Sequence, residues 1–233
     1  MRADGGGEAA PKREGEPKRE IVYGRRPVAE AERGRRAVHT VWRAPDTPAE
    51  ELTRLAGSPD HQGVVAEVDP YPYAGAAELL QNKSGLLVAL DQVQDPRNLG
   101  AVCRSAEVAG AAGVVIPERR SAAVTAVACK ASAGAVEHLS VARVRNLADW
   151  LGEARDAGFW AWGAEAGAPT IYTEADLKGG TVLVLGGEGK GLRPRVASSC
   201  DGLVEIPQKG ETASLNVSAA ASVLLFEALR QRR

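Results

Sequence analysis

Aromatic residues are scarce in this chain of 233 residues, at 4%. That scarcity weakens any reading built on aromatic base-stacking platforms. There are three cysteines, Cys103, Cys129 and Cys200, all far apart. Their spacing excludes a CxxC zinc or redox motif, and the odd count argues against a disulfide framework. The three histidines (His39, His61, His138) form no ligand cluster, so no metal is expected. No apolar run approaches the roughly 20 residues needed to span a bilayer. The first twenty residues hold no apolar core of a secretory signal, and a cytoplasmic protein without a membrane partner is expected.

What the chain does have is alanine, glycine and aliphatic residues, with 44% hydrophobic and 25% charged residues overall. A core of Ala, Val and Leu demands close backbone packing, which helices on a parallel sheet provide. Residues 1–20 balance five basic against five acidic side chains and have few hydrophobes, the composition of a disordered tail. Residues 21–80 form a second unit. Its first stretch, IVYGRRPVAEAERGRRAVHTVWRA, carries six arginines against two glutamates, although the whole chain has a net charge of −1. Such a basic front suggests polyanion binding, with Arg25, Arg26, Arg35 and Arg36 as RNA-contact candidates. A short helix over 27–33 and strands over 38–43 and 63–68 are expected there. QNKSG at 81–85 reads as a linker.

From Leu86 the pattern alternates strand and helix. LLVAL (86–90) is a continuous apolar run, as in a strand buried on both faces. A helix capped by Asn98 follows, with Leu99, Val102, Cys103 and Ala106 on one stripe. Further strands are expected at 114–116, 139–142, 159–163, 181–186 and 203–206. Helices are expected at 121–133, 146–157 and 193–199, then a last one with Val217, Ala220, Ala221, Leu224 and Ala228 on one face. This alternation implies an α/β domain with a largely parallel sheet over 86–233.

GGEGKGL (186–192) fits neither familiar phosphate motif. A Walker A loop would need Ser or Thr after Lys190, and a dinucleotide fingerprint would need glycine at Leu192. Glu188 would repel a phosphate and suits a cationic or hydroxyl-rich ligand better. Arg104, on the first helix, could grip a phosphate bidentately or simply pair with a carboxylate at the surface. Ser214 and Asn216 precede the last helix, where both residue types serve as caps.

Together these segments resemble one family. LDQVQDPRNLGAVCRSAEVAGAAGVVIP, VLVLGGEGKGL and VEIPQKGETASLNVSAAASVLLFEALR are similar to the three ordered motifs of the SpoU/TrmH-type RNA ribose methyltransferases, the RlmB-type 23S guanosine enzymes above all. The resemblance implies a SPOUT fold: a parallel α/β domain with a C-terminal trefoil knot. It also implies a homodimer and S-adenosylmethionine as methyl donor. Carried over, Ala164, Leu185, Gly186, Gly189, Ile206, Pro207, Ser214 and Leu215 would bind the donor. Arg104, Asn98, Glu188 and Asn216 would form the catalytic group, with Arg104 also touching RNA. Residues 21–80 resemble the small α+β L30e-like substrate domain of such enzymes, shortened between Trp42 and His61 by a strand and a helix. The expected activity is methylation of a ribose 2′-hydroxyl in large-subunit ribosomal RNA. Transfer RNA, an antibiotic-resistance ribosomal site, or a non-catalytic assembly role stay open.

Overall fold

The structure is a computed structural model that describes residues 18–187, 189, 191–210 and 214–233. The front unit is β1 (Glu20–Tyr23), α1 (Arg25–Arg33), β2 (Val38–Arg43), α2 (Ala49–Ala56) and β3 (Val64–Val68). Its three strands form an antiparallel sheet in the order β1-β3-β2, with Val22 opposite Ala66 and Tyr23 opposite Val65. β1 begins inside the stretch expected to be a tail, because Ile21, Val22 and Tyr23 supply the apolar face that β3 needs. A helix was also expected to be missing between Trp42 and His61. Instead α2 stands there, held by fully buried Leu52 and ended by Gly57 in the left-handed region at φ 63°.

The second unit runs β4 (Leu86–Asp91), α3 (Pro96–Val108), β5 (Gly113–Pro117), α4 (Ala126–Ala131), β6 (Val141–Val144), α5 (Leu147–Asp156), β7 (Trp160–Ala164), β8 (Thr170–Ile171), β9 (Thr181–Gly186), α6 (Pro194–Ala197), β10 (Gly202–Glu205) and α7 (Val217–Gln231). The strands form one seven-stranded sheet, β6-β5-β4-β9-β7-β10-β8, with every pairing parallel. All six residues of β4 are buried, the signature of a strand covered on both faces. Successive side chains take opposite sides. Leu86, Val88 and Leu90 join the layer that holds α3, α4 and α7, while Leu87 and Ala89 join the layer that holds α5 and α6.

Two local expectations need correction. Asp95, not Asn98, caps α3: its Oδ1 accepts from the Arg97 N–H at 2.7 Å, and Asn98 lies inside the first turn. The helix expected over 121–133 shrinks to α4. Thr125 is extended and caps it, while the preceding residues are pinned to the loop after β4, the Ala122 N–H donating to the Val93 carbonyl at 2.8 Å.

Both units share one core, since Val22, Val28 and Ala31 pack in the same cluster as Cys129 and Val136. Arg36 fastens the junction. Its guanidinium is buried, donating to both oxygens of buried Glu137 and, at 3.1 Å, to Glu20. Burial acts to lower its pKa, but the hydrogen bonds and charge of Glu137, with Cys129, outweigh this and raise it. Arg35 donates to the Leu139 carbonyl at 2.7 Å. Both arginines were expected to meet RNA. Arg36 is instead an internal tie, because an isolated carboxylate at Glu137 would be too costly to bury, and Arg35 is engaged across the same seam.

Candidate donor and acceptor cavities

In a parallel sheet the carboxyl ends of the strands collect at one edge, and ligand sites collect there too. At this edge β7 ends at Ala164, β9 at Gly186 and β10 at Glu205, and the N-terminus of α7 closes over them. Between them lies a cavity of about 400 Å³, within the range of small-molecule sites. Ala164, Leu185, Gly186, Gly189, Ile206, Ser214 and Leu215 line it. Pro207 does not, its neighbour Gln208 taking that part of the wall. Glu188 lies outside the described residues.

Glycine is required at the floor. A Cβ on Gly186 would sit 2.0 Å from the Gly191 carbonyl carbon, and one on Gly187 2.7 Å from the Gln92 carbonyl oxygen. The loop doubles back on itself, Gly187 bridging Gly191 in antiparallel fashion, with Gly191 in the left-handed region at φ 62°. Glycine after a late strand thus serves a tight backbone fold beside the cavity.

A second cavity of about 440 Å³ lies across that glycine bridge and shares Gly187 and Gly191 with the first. Its other lining residues include Gln92, Gln94, Asp95, Asn98 and Arg193. Buried Asp91, at the end of β4, holds this wall: its carboxylate accepts from the Arg193 backbone N–H at 2.9 Å and from the Arg193 Nε at 2.8 Å. Sequence reasoning missed this pair. The available signal was a lone carboxylate closing a fully apolar strand.

Asn98 and Asn216 come together. The Asn216 Nδ2 donates to the Asn98 Oδ1 at 3.1 Å, while the Asn216 Oδ1 accepts from the Ser218 N–H at 2.8 Å and caps α7. Two turns on, the Ser105 and Ser222 hydroxyls meet at 2.8 Å, so α3 and α7 run side by side in the same direction. Arg104 lines neither cavity. It is exposed and, among the described residues, makes no hydrogen bond or ion pair. Arg25 and Arg26 are exposed at the start of α1.

A glycine-floored cavity at the carboxyl edge of an all-parallel sheet, with an asparagine pair beside it, defines an α/β protein with a small-ligand cavity next to a second, more polar one. Residues 85–226 match the SpoU rRNA Methylase family, and the chain belongs to that family of methyltransferases. It is 43% identical, over 92% of its length and 77% of the other's, to an uncharacterized tRNA/rRNA methyltransferase of Mycolicibacterium gilvum. Its structure is similar to that of the SpoU methyltransferase AviRb from Streptomyces viridochromogenes in complex with the cofactor AdoMet, at TM-score 0.77 and 29% identity, covering 92% and 90% of the two chains. An AdoMet-bound rRNA methyltransferase from Sinorhizobium meliloti gives TM-score 0.81 at 25% identity, covering 91% and 87%.

Proposed function

We propose that the protein transfers a methyl group from S-adenosylmethionine to a ribose 2′-hydroxyl of RNA, a guanosine of 23S ribosomal RNA being the target. The observation that carries this reading is the pair of cavities that share the Gly187–Gly191 bridge. Methyl transfer needs donor and acceptor in adjoining, aligned sites, and alignment alone is worth up to about 7–11 kcal/mol.

The first cavity fits the donor. Leu185, Val204, Ile206 and Leu215 offer apolar walls for an adenine, and the glycine backbone offers amides and carbonyls close by. Among the described residues, Glu165 is the one charged side chain in its lining, which suits a cation and disfavours a polyphosphate. S-adenosylmethionine, when bound, supplies an electrophilic methyl on a sulfonium. In the transfer the 2′-oxygen would form the new carbon–oxygen bond as the carbon–sulfur bond broke to leave a neutral thioether, and the hydroxyl proton would pass to solvent water. A guanidinium does not release its own proton near neutrality. Arg104 therefore binds the phosphate beside the target ribose and stabilises the developing 2′-oxyanion. Asn98 and Asn216 orient that ribose, Asn98 from within the second cavity.

The reading includes the C-terminal trefoil knot of a SPOUT fold, an L30e-like role for residues 21–80, cytoplasmic location and a homodimer. Two observations support the dimer. Arg104 lines neither cavity of one chain, as expected where a second copy completes the acceptor site. Val108 on α3 and Phe226 on α7 are large exposed hydrophobics, at 61% and 47%, lying three and four residues beyond the paired Ser105 and Ser222. These two side chains, one on each of the paired helices, are apolar surface for a second copy to cover.

The test is methyl transfer from labelled S-adenosylmethionine to unmodified total RNA, followed by nuclease digestion and separation of 2′-O-methyl nucleosides. Labelled 2′-O-methylguanosine in large-subunit RNA is the expected result. Label in transfer RNA would move the substrate and keep the chemistry. Label on a base would overturn the ribose assignment, and donor binding without transfer to any RNA would favour an assembly role.

A further inference from the structure

Several arginines of the front unit meet a carboxylate, whereas exposed Arg25, Arg26 and Arg35 meet none among the described residues. Arg19 pairs with Glu67 at 2.6 Å, Arg43 with Glu32 at 2.9 Å, Arg33 with Glu30, and Arg54 with Glu51. Arg36 is buried on Glu137. A different set is not neutralised. Arg119 and Arg120 follow β5 and Arg145 follows β6; all three are exposed and, among the described residues, none makes an ion pair or hydrogen bond. Arg97, in the first turn of α3 after β4, approaches Asp95 only at 4.0 Å. These residues stand at the same sheet edge as the two cavities, because β9, β4, β5 and β6 are consecutive parallel strands. Neighbouring strands lie about 4.8 Å apart, which sets the ends of β5 and β6 about 10 and 15 Å from the end of β9.

The turn that carries them is built with some strain. Arg120 is left-handed at φ 58°, a conformation uncommon for a side chain of that size. Both flanks hold it. Arg143 Nη2 donates to the Glu118 carbonyl at 3.1 Å while its guanidinium lies 5.2 Å from the Tyr73 ring centre. On the other side, Ala122 is bonded to Val93, which lines the second cavity. The turn is thus tied directly to the acceptor wall. The acidic side chains along this edge are exposed Glu118 and half-buried Asp95, so the positive charge dominates.

We propose that Arg119, Arg120 and Arg145, with Arg97, form the track that carries the RNA backbone to the second cavity, and that this edge is a second source of RNA affinity beside the front unit. This rests on the RNA reading above and adds to it where the strand runs. The guanidinia grip phosphates on one side of the target nucleotide. Such contacts position the strand and do not read its sequence.

The experiment compares three full-length proteins: wild type, the triple variant Arg119→Ala/Arg120→Ala/Arg145→Ala, and a charge-matched control, Arg33→Ala/Arg43→Ala/Arg54→Ala. The probe is an in vitro transcript of large-subunit ribosomal RNA, with affinity followed against salt and S-adenosylmethionine binding measured alongside. For the edge variant we expect RNA affinity at least tenfold weaker at about 0.15 M salt, and a salt slope shallower by about 2. KM for RNA should rise with kcat nearly unchanged, and donor binding should stay as in wild type. The control should bind RNA as wild type does. An edge variant that binds as tightly as wild type, or a control that loses as much, overturns the track. A wild-type protein that neither binds the transcript nor methylates it overturns the RNA reading itself, and the track with it.

Discussion

Asn216 donates its side-chain amide to Asn98 at 3.1 Å, joining positions 118 residues apart, while its oxygen caps the last helix. One side chain therefore sets the start of α7 and ties it to the wall of the second cavity, where Asn98 stands. The two duties are separable by chemistry, since a cap needs only an acceptor and the tie needs a donor in a fixed place.

Asn216→Ala should lower stability by about 0.5–2 kcal/mol through the lost cap and should also lower methyl transfer. Asn216→Asp keeps an acceptor for the Ser218 amide, restoring stability, but has no amide to give Asn98. Thermal unfolding and transfer rate measured on both variants separate the roles. Full activity in Asn216→Asp would show that the tie to Asn98 is dispensable.

Arg104→Ala should reduce kcat by about 100- to 1000-fold, the loss typical of removing one group that stabilises developing charge. Stability should change by less than about 0.5 kcal/mol, because the side chain is exposed and without an ion pair among the described residues. Calorimetric donor binding should be unaltered. Turnover close to wild type would remove Arg104 from the mechanism.

Gly186→Ala places a methyl against the backbone of Gly191, which has no side chain to swing away. The strain should cost about 1–3 kcal/mol and distort the cavity floor, weakening S-adenosylmethionine binding at least tenfold. Gly152→Ala is the contrast. That glycine is interior to α5 with open space around it, and alanine there should stabilise by about 0.5–1 kcal/mol. Isothermal titration and thermal melts of the two variants check the pair.

Arg36→Ala leaves Glu137 buried without its partner, so stability should fall by about 3–5 kcal/mol. Replacing both, as Arg36→Met/Glu137→Leu, should recover much of that loss. Chemical denaturation of the single and double variants reads the coupling directly. Equal stability of the two would mean that the seam does not depend on the pair.

The alternation of apolar runs with helical stripes over 86–233 was legible because each period is a local property of the chain. TVLVLG can be little else than a buried strand, and Leu99, Val102, Cys103 and Ala106 fall on one face in any α-helix. The motif order likewise marked residues that line the first cavity, Pro207 excepted, where Gln208 stands instead. Local signals also misled: Asn98 has the chemistry of a cap, but Asp95 three residues earlier reaches the free amide first. Charge counting along the chain placed RNA contact on Arg25, Arg26, Arg35 and Arg36, whereas the fold leaves Arg25 and Arg26 exposed, turns Arg36 inward onto Glu137 and gathers Arg119, Arg120 and Arg145 at the sheet edge. Helix and strand periods are set by neighbours within a few residues, and so the elements and the class of protein could be read from the chain alone. That Arg36 meets Glu137, that Gly187 lies against Gln92 and that Asn216 meets Asn98 are contacts between positions about a hundred residues apart, and such contacts exist only once the chain is folded.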